Sequence, residues 1–469
     1  MSLGRSVCAA VLGVALVAPA PAGGRAPIQL TLRPAAAPAP ALRYRLLPEL
    51  IDQTPGNAVE LYQQAVAALK KARKEGDAGP TGDVLTWLKL PAAELPREEA
   101  RKLLVRYREL FGLADRAARC ESCDWRLVER VRQHGLDVKL VEIPPTVELA
   151  RLLALRARLA IVEGRADAAL HALRTGLTAA KQIGDGPLFV CPLLGSAIAT
   201  PTLRELELFL TQEQAPNLYW ALTDLPRPFL DLRKPLEGER FATYAFFPGL
   251  LDVAHDRNAG PMTPAQLKAS AAAVSRRYLA DKGALERARL ALLIRAKHAG
   301  AKEALVDAGR PRAKVEQMPH LQVALLHAMQ QFDRQYDTLI RWRTFSYAEA
   351  QKGLEEAAGR ISATRAPAFL LSKDVPALPL FDARFAEHLF ADCARLDRRV
   401  AALRCVEAIR LYAAAHGGRL PPTLAAVKEV PVPEDPLTGK PFAYRLENDT
   451  ATLEAAGSGL LTYELVLKQ

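Results

Sequence analysis

Aromatic residues are scarce, at 6% of a chain that is 50% hydrophobic overall. Ala and Leu carry most of the apolar content, and Ala, Leu and Arg lose little conformational freedom in a helix, so the composition points to an α-rich fold. Cysteine is also rare, with 6 among 469 residues. Cys8 lies in the leader described below; the other five, Cys120, Cys123, Cys191, Cys393 and Cys405, are an odd set, which excludes a disulfide-dense scaffold. Long blocks of one charge are missing too, although the formal net charge is +11. Basic and acidic residues interleave, as in Arg97-Glu98-Glu99 and Leu285-Glu286-Arg287-Ala288-Arg289, which suits solvated helix faces and argues against a nucleic-acid partner. Beyond the leader no apolar run approaches the about 20 residues that cross a bilayer, so no transmembrane helix is expected. His-Glu-x-x-His, Gly-x-Ser-x-Gly, phosphate-loop and dinucleotide motifs are all absent, and no cofactor is predicted.

What is present begins with a leader. Arg5 supplies a positive charge, Val7 to Val17 is a short apolar stretch, and Ala18, Ala20 and Ala22 offer small-residue cleavage sites. Residues 1–22 therefore read as a signal peptide and 23–41 as an Ala/Pro-rich spacer, leading to an exported protein, periplasmic or extracellular. A helical domain is expected over 42–365, a Pro-rich connection over 366–390 and a C-terminal helix plus β-hairpin module over 391–469. Asn57 is placed to cap a helix from Ala58 to about Lys74, and another helix is predicted from Arg97 to about Arg119.

The clearest local unit is 147–183, where apolar residues repeat at steps of three and four on both sides of Glu163-Gly164-Arg165. A turn that short forces two antiparallel helices, in the manner of a tetratricopeptide hairpin. Thr263-Pro264 is a helix start, and Leu321 to Phe345 reads as one long helix. The helix around Leu396 to Tyr412 is apolar on two sides, which predicts burial between layers, and Gly417-Gly418 ends it. Phe442 to Leu446 and Thr450 to Leu453 alternate around Asn448-Asp449 as a hairpin, with Tyr463 to Leu467 as a third strand. The fold class expected is mainly α: an array of antiparallel helical hairpins with a small C-terminal α+β module.

Several stretches carry a resemblance: Tyr44-Arg45-Leu46-Leu47-Pro48 with Thr54-Pro55-Gly56-Asn57, Pro216 to Leu222, Leu403 to Tyr412, and Asp435 to Phe442. In combination they resemble a family of uncharacterised, predicted secreted proteins from planctomycete bacteria. That resemblance implies export and a shared fold, and brings no activity. More narrowly, Arg398 to Tyr444 resembles the soluble part of a type II secretion pseudopilin, without the hydrophobic stem that directly precedes the module there. Some pseudopilins hold calcium in this loop, so the resemblance implies Asp435 and Asp449 as candidate oxygen donors.

Other candidates come from spacing. Cys120-Glu121-Ser122-Cys123 has the spacing of a disulfide, a redox dithiol or half a zinc knuckle, with His134 the only neighbouring imidazole. Asp252, His255 and Asp256 fall at i, i+3 and i+4, so a helix would gather them on one face for a divalent metal or acid–base work. His320 and His327 lie two turns apart, too far to share a metal, while Tyr219, Trp220, Trp342, Phe345 and Tyr347 are either core or a groove lining. The leading expectation is a non-enzymatic scaffold or binding protein of the cell envelope, with a protein as partner. The alternatives are an envelope hydrolase or metal-dependent enzyme using Asp252, His255 and Asp256, and a component associated with the secretion apparatus. N-terminal sequencing of the exported chain is expected to begin at Gly23; a chain that retains Met1 would remove the leader.

Overall fold

The computed structural model describes residues 26–74, 81–135, 145–278, 283–363, 383–455 and 461–468. The signal peptide expected over 1–22 and the Pro-rich stretch from Ala366 to Pro379 lie outside the described residues. The chain is mainly α, with a small sheet-containing region at its C-terminal end. Local signals place many of the helices. Asn57 Oδ1 accepts the Val59 N–H at 3.2 Å and so caps Ala58–Lys74. Thr263 and Gln266 form a reciprocal capping box at the start of Pro264–Tyr278. The stretch expected as one helix from Arg97 is two, Arg97–Arg106 and Arg108–Ala117, because Tyr107 departs from helical geometry at φ −96° and ψ 17°.

The expected hairpin is formed by Pro145–Val162 and Ala166–Gly184, reversing through Gly164 at φ +70°. A third helix, Val190–Leu210, packs against both of its arms. The seam is close: a Cβ on Gly195 would sit 2.8 Å from the Ala180 carbonyl oxygen. Across this layer lies a 33-residue helix, Ala383–Ala415, which is buried on most sides as the two apolar arcs predict. It ends where Gly418 donates to the Ala413 carbonyl at 2.8 Å, with Gly417 and Gly418 both at positive φ.

The sheet corrects the expected domain organisation. Ala443–Glu447, Thr450–Glu454 and Thr462–Leu467 form the expected antiparallel strands, but a fourth strand, Ile28–Leu32, runs parallel to Thr462–Leu467. This strand comes from within the supposed 23–41 spacer. Leu30 and Leu32 are buried with Ala451, Leu453, Tyr463 and Leu465 on one face. The alternation in Ile28-Gln29-Leu30-Thr31-Leu32 is the strand signal, hidden by the Ala/Pro composition around it. The C-terminal module is thus completed by the N-terminal end of the described chain, and one continuous apolar core runs from Leu30 to Leu465.

Arginines on the long helix lock these pieces together. Arg398 makes a bidentate pair with Asp435, both bonds 2.9 Å, and Arg399 grips Glu207 of Val190–Leu210, which also accepts the Tyr463 hydroxyl. Arg410 is fully buried and donates to Glu407 at 2.7 Å and to the carbonyls of Arg33 (2.9 Å), Ala215 (2.7 Å) and Pro216 (3.3 Å). Arginine in this chain is therefore not only a solvated-face residue, as its interleaving with acids suggested. Removing one member of a buried pair strands the other charge, at a cost of roughly 3–5 kcal/mol. Arg410→Met is expected to lower unfolding stability by about that amount in a urea titration. Arg410→Lys should recover only part of it, since one ammonium cannot span the same acceptors; full recovery would contradict this account.

Candidate functional site

A concave surface opens between the helices Arg233–Ala245 and His320–Ile340. Glu237, Arg240, Phe241 and Tyr244 recur at helical spacing on the first; Asp337 and Ile340 line it from the second, with Arg341 in the turn just beyond its end. The first helix is held close because Gly238 lies under the Pro187 loop, where a Cβ would fall 1.6 Å from the Pro187 carbonyl oxygen. The Tyr336 hydroxyl ties the two helices by donating to the Leu236 carbonyl.

Asp333 sits at the centre of the facing surfaces. One carboxylate oxygen accepts from Arg240 Nε at 2.8 Å and the other from the Tyr244 hydroxyl at 2.6 Å. Burial, with the Asp333 contact second, pushes the Tyr244 phenol well up, so it remains a proton donor. On one side of this knot is an open cleft of about 550 Å³, rimmed by Glu237, Arg240, Asp337, Arg341 and Arg343. Glu237 and Arg343 pair across it at 2.8 Å. Arg341 is exposed and lies over the Trp342 ring at 5.6 Å; among the described residues it ion-pairs with no carboxylate.

On the other side is a smaller chamber of about 270 Å³, lined in part by His255, Arg257, Arg310, Gln330 and Asp333. Arg310 is spent on structure there, donating to the carbonyls of Val253, Ala254 and Asp256 at 2.7–2.9 Å and so closing the short helix Leu250–Ala254.

That helix explains why Asp252, His255 and Asp256 do not form the expected cluster. It ends at Ala254 after five residues, so the i, i+3, i+4 geometry is not maintained. Asp252 accepts from the Gln266 amide at 3.2 Å, Asp256 accepts the Asn258 N–H at 2.8 Å, and the His255 ring turns onto Tyr244 with centroids 5.2 Å apart. Of the three, only His255 lines the chamber.

The calcium candidates are separated as well. Asp435 is buried against Arg398 and accepts the Leu437 N–H, whereas Asp449 is exposed in the hairpin turn. No group of three or more metal-ligating side chains gathers among the described residues. Cys120 and Cys123 are free thiols in this structure. Cys120–Ser122 is held as a strand beside Thr54–Asn57, and Cys120 Sγ lies 3.6 Å from the Arg116 carbonyl oxygen. Burial pushes the Cys123 thiol up to about 12, which leaves it protonated and a poor redox nucleophile. Tyr219 is core, and Trp342 packs over Gly353.

Arg240, Tyr244 and Asp333 carry no recognisable motif. They meet across 89 and 93 positions of sequence, and the only linear trace is helical spacing of charged and aromatic residues within each helix. Each oxygen of Asp333 accepts one hydrogen bond, so the carboxylate orients Arg240 and Tyr244 between the two hollows. Compared with family models, with curated proteins and with solved structures, the chain finds no match in any of the three.

The cleft helix also carries a titration. Glu239 accepts the Phe189 N–H and Asp397, on the long helix, the Phe229 N–H, each at 2.8 Å. Desolvation pushes both carboxyls up to about 7, from ordinary values of 4.5 and 3.8. A raised folded-state value means that the native state holds protons the unfolded chain has released, so this contribution is complete below about pH 4 and lost as pH rises through about 7. The urea midpoint is expected to fall across that window, and Glu239→Gln with Asp397→Asn should flatten the fall. An unchanged slope in the double variant would rule these two groups out as its source.

Proposed function

We propose that this chain is an exported, non-enzymatic helical binding protein of the cell envelope, and that the cleft between Arg233–Ala245 and His320–Ile340 receives a protein segment carrying a carboxylate. The observation that carries this reading is that Arg341, which among the described residues ion-pairs with no carboxylate, stands on the rim of an open cleft where Glu237 pairs with Arg343 and Arg240 with Asp333. A docking segment that brings its own carboxylate would complete the rim, and its apolar side chains would meet Phe241 and Ile340 on the wall. The leader at residues 1–22 supports an envelope location, as does the resemblance to secreted planctomycete proteins. The Asp333 knot supports binding over turnover, since its donors and acceptors serve one another.

The test is affinity capture from envelope extract with the exported chain and its Arg341→Glu variant, read by mass spectrometry and then by titration of the captured protein. The expected result is a saturable partner whose affinity falls at least about tenfold in the variant, with thermal stability unchanged. A partner bound equally by both proteins, or no partner at all, would overturn the assignment of the cleft.

A further inference from the structure

The chamber behind the Asp333 knot is lined by a positive charge that the fold leaves unmatched. Arg310 is only 6% exposed, and its guanidinium donates to the carbonyls of Val253, Ala254 and Asp256. Carbonyls satisfy its hydrogen bonds but bring no net negative charge. Among the described residues Arg310 ion-pairs with no carboxylate: Asp333 is engaged by Arg240, and the exposed Asp256 side chain accepts the Asn258 N–H. Burial accordingly pulls the Arg310 pKa down, whereas the Asp333 contact holds that of Arg240 up.

Three more polar groups line the same hollow without a partner among the described residues. Arg257 makes no ion pair or hydrogen bond there, and it lies against the turn at Gly309, where a Cβ would come 3.1 Å from its Nη1. Gly309 is at φ +91°, so both the turn and the close approach of Arg257 favour glycine. The His255 ring rests against Tyr244, and neither of its nitrogens is hydrogen-bonded. The Gln330 amide oxygen is buried with no partner. Leu305, Leu326 and Met329, all buried, supply an apolar wall. At about 270 Å³ the chamber falls below the roughly 300–1,000 Å³ of pockets for drug-sized ligands, which restricts it to a small occupant.

We propose that this chamber binds a small organic anion. Its oxyanion head, carboxylate or phosphate, is held by Arg257 in the field of Arg310, and a short apolar portion lies on Leu305, Leu326 and Met329. The assignment is independent of the cleft, and the Arg341→Glu variant should bind the anion as the parent does.

The test is isothermal titration of the full exported chain with acetate, butyrate, inorganic phosphate and butyl phosphate. Butyrate or butyl phosphate is expected to bind saturably, at least about tenfold more tightly than its bare headgroup, because the added methylenes leave water. Which of the two binds identifies the head. Arg257→Gln should weaken that binding at least about tenfold with the melting temperature unchanged, and Arg257→Lys should recover part of the loss. Ala308→Leu, an exposed position that keeps every charge but narrows the chamber, should weaken it as much. Absence of binding by both butyl anions would overturn the proposal. So would binding that Arg257→Gln and Ala308→Leu both leave unchanged, which would mark general attraction of anions to a basic surface.

Discussion

Arg410 has no route to water once the helix Ala383–Ala415 has docked, and the surrounding segments are arranged to occupy its donors. A guanidinium offers five N–H groups in a fixed plane, and a buried one must find acceptors for them. Glu407 takes its charge, while the carbonyls of Arg33, Ala215 and Pro216 come from the start of the described chain and from the loop after Val190–Leu210. Glu407 in turn accepts the Leu218 N–H at 2.7 Å, and its carbonyl accepts from Asn217 at 2.9 Å. One ion pair thus sets the positions of three segments far apart in sequence.

The same device recurs along that helix and beyond it. Arg398 fixes the turn at Asp435, Arg399 joins the sheet to the central helix through Glu207, and Arg404 reaches the Thr223 hydroxyl at 2.9 Å while lying over the Tyr219 ring. In the N-terminal half, Arg158 pairs with Glu205 and donates to the carbonyls of Trp87 and Leu90. A chain poor in aromatics and without disulfides among the described cysteines gains specificity from such groups: each is costly unless every donor is met, and one arrangement meets them. The cleft depends on this frame indirectly, because its first helix rests on the Pro187 loop at the end of the hairpin layer.

Local physics made the mainly α fold, the hairpin at Gly164, the cap at Asn57, the box at Thr263 and the strands around Asn448-Asp449 legible in the sequence. Each is decided by residues within a few positions of one another, where periodicity, turn conformation and capping act. The same locality explains what misled. Asp252, His255 and Asp256 have ligand spacing only if a helix continues through them, and Arg310, 54 positions beyond Asp256, takes the carbonyls where it stops. Ile28–Leu32 reads as spacer by composition and becomes a strand because Thr462–Leu467 offers it an edge.

The sequence by itself determined the helix content and the local turns and caps, since composition and short-range spacing are linear properties. Tertiary structure alone decided which arginines are buried, which carboxylate each one meets, and that Arg240, Tyr244 and Asp333 share one site. These outcomes follow from the docking of surfaces across tens to hundreds of residues, where desolvation and hydrogen-bond completion select among pairings that short-range spacing cannot distinguish.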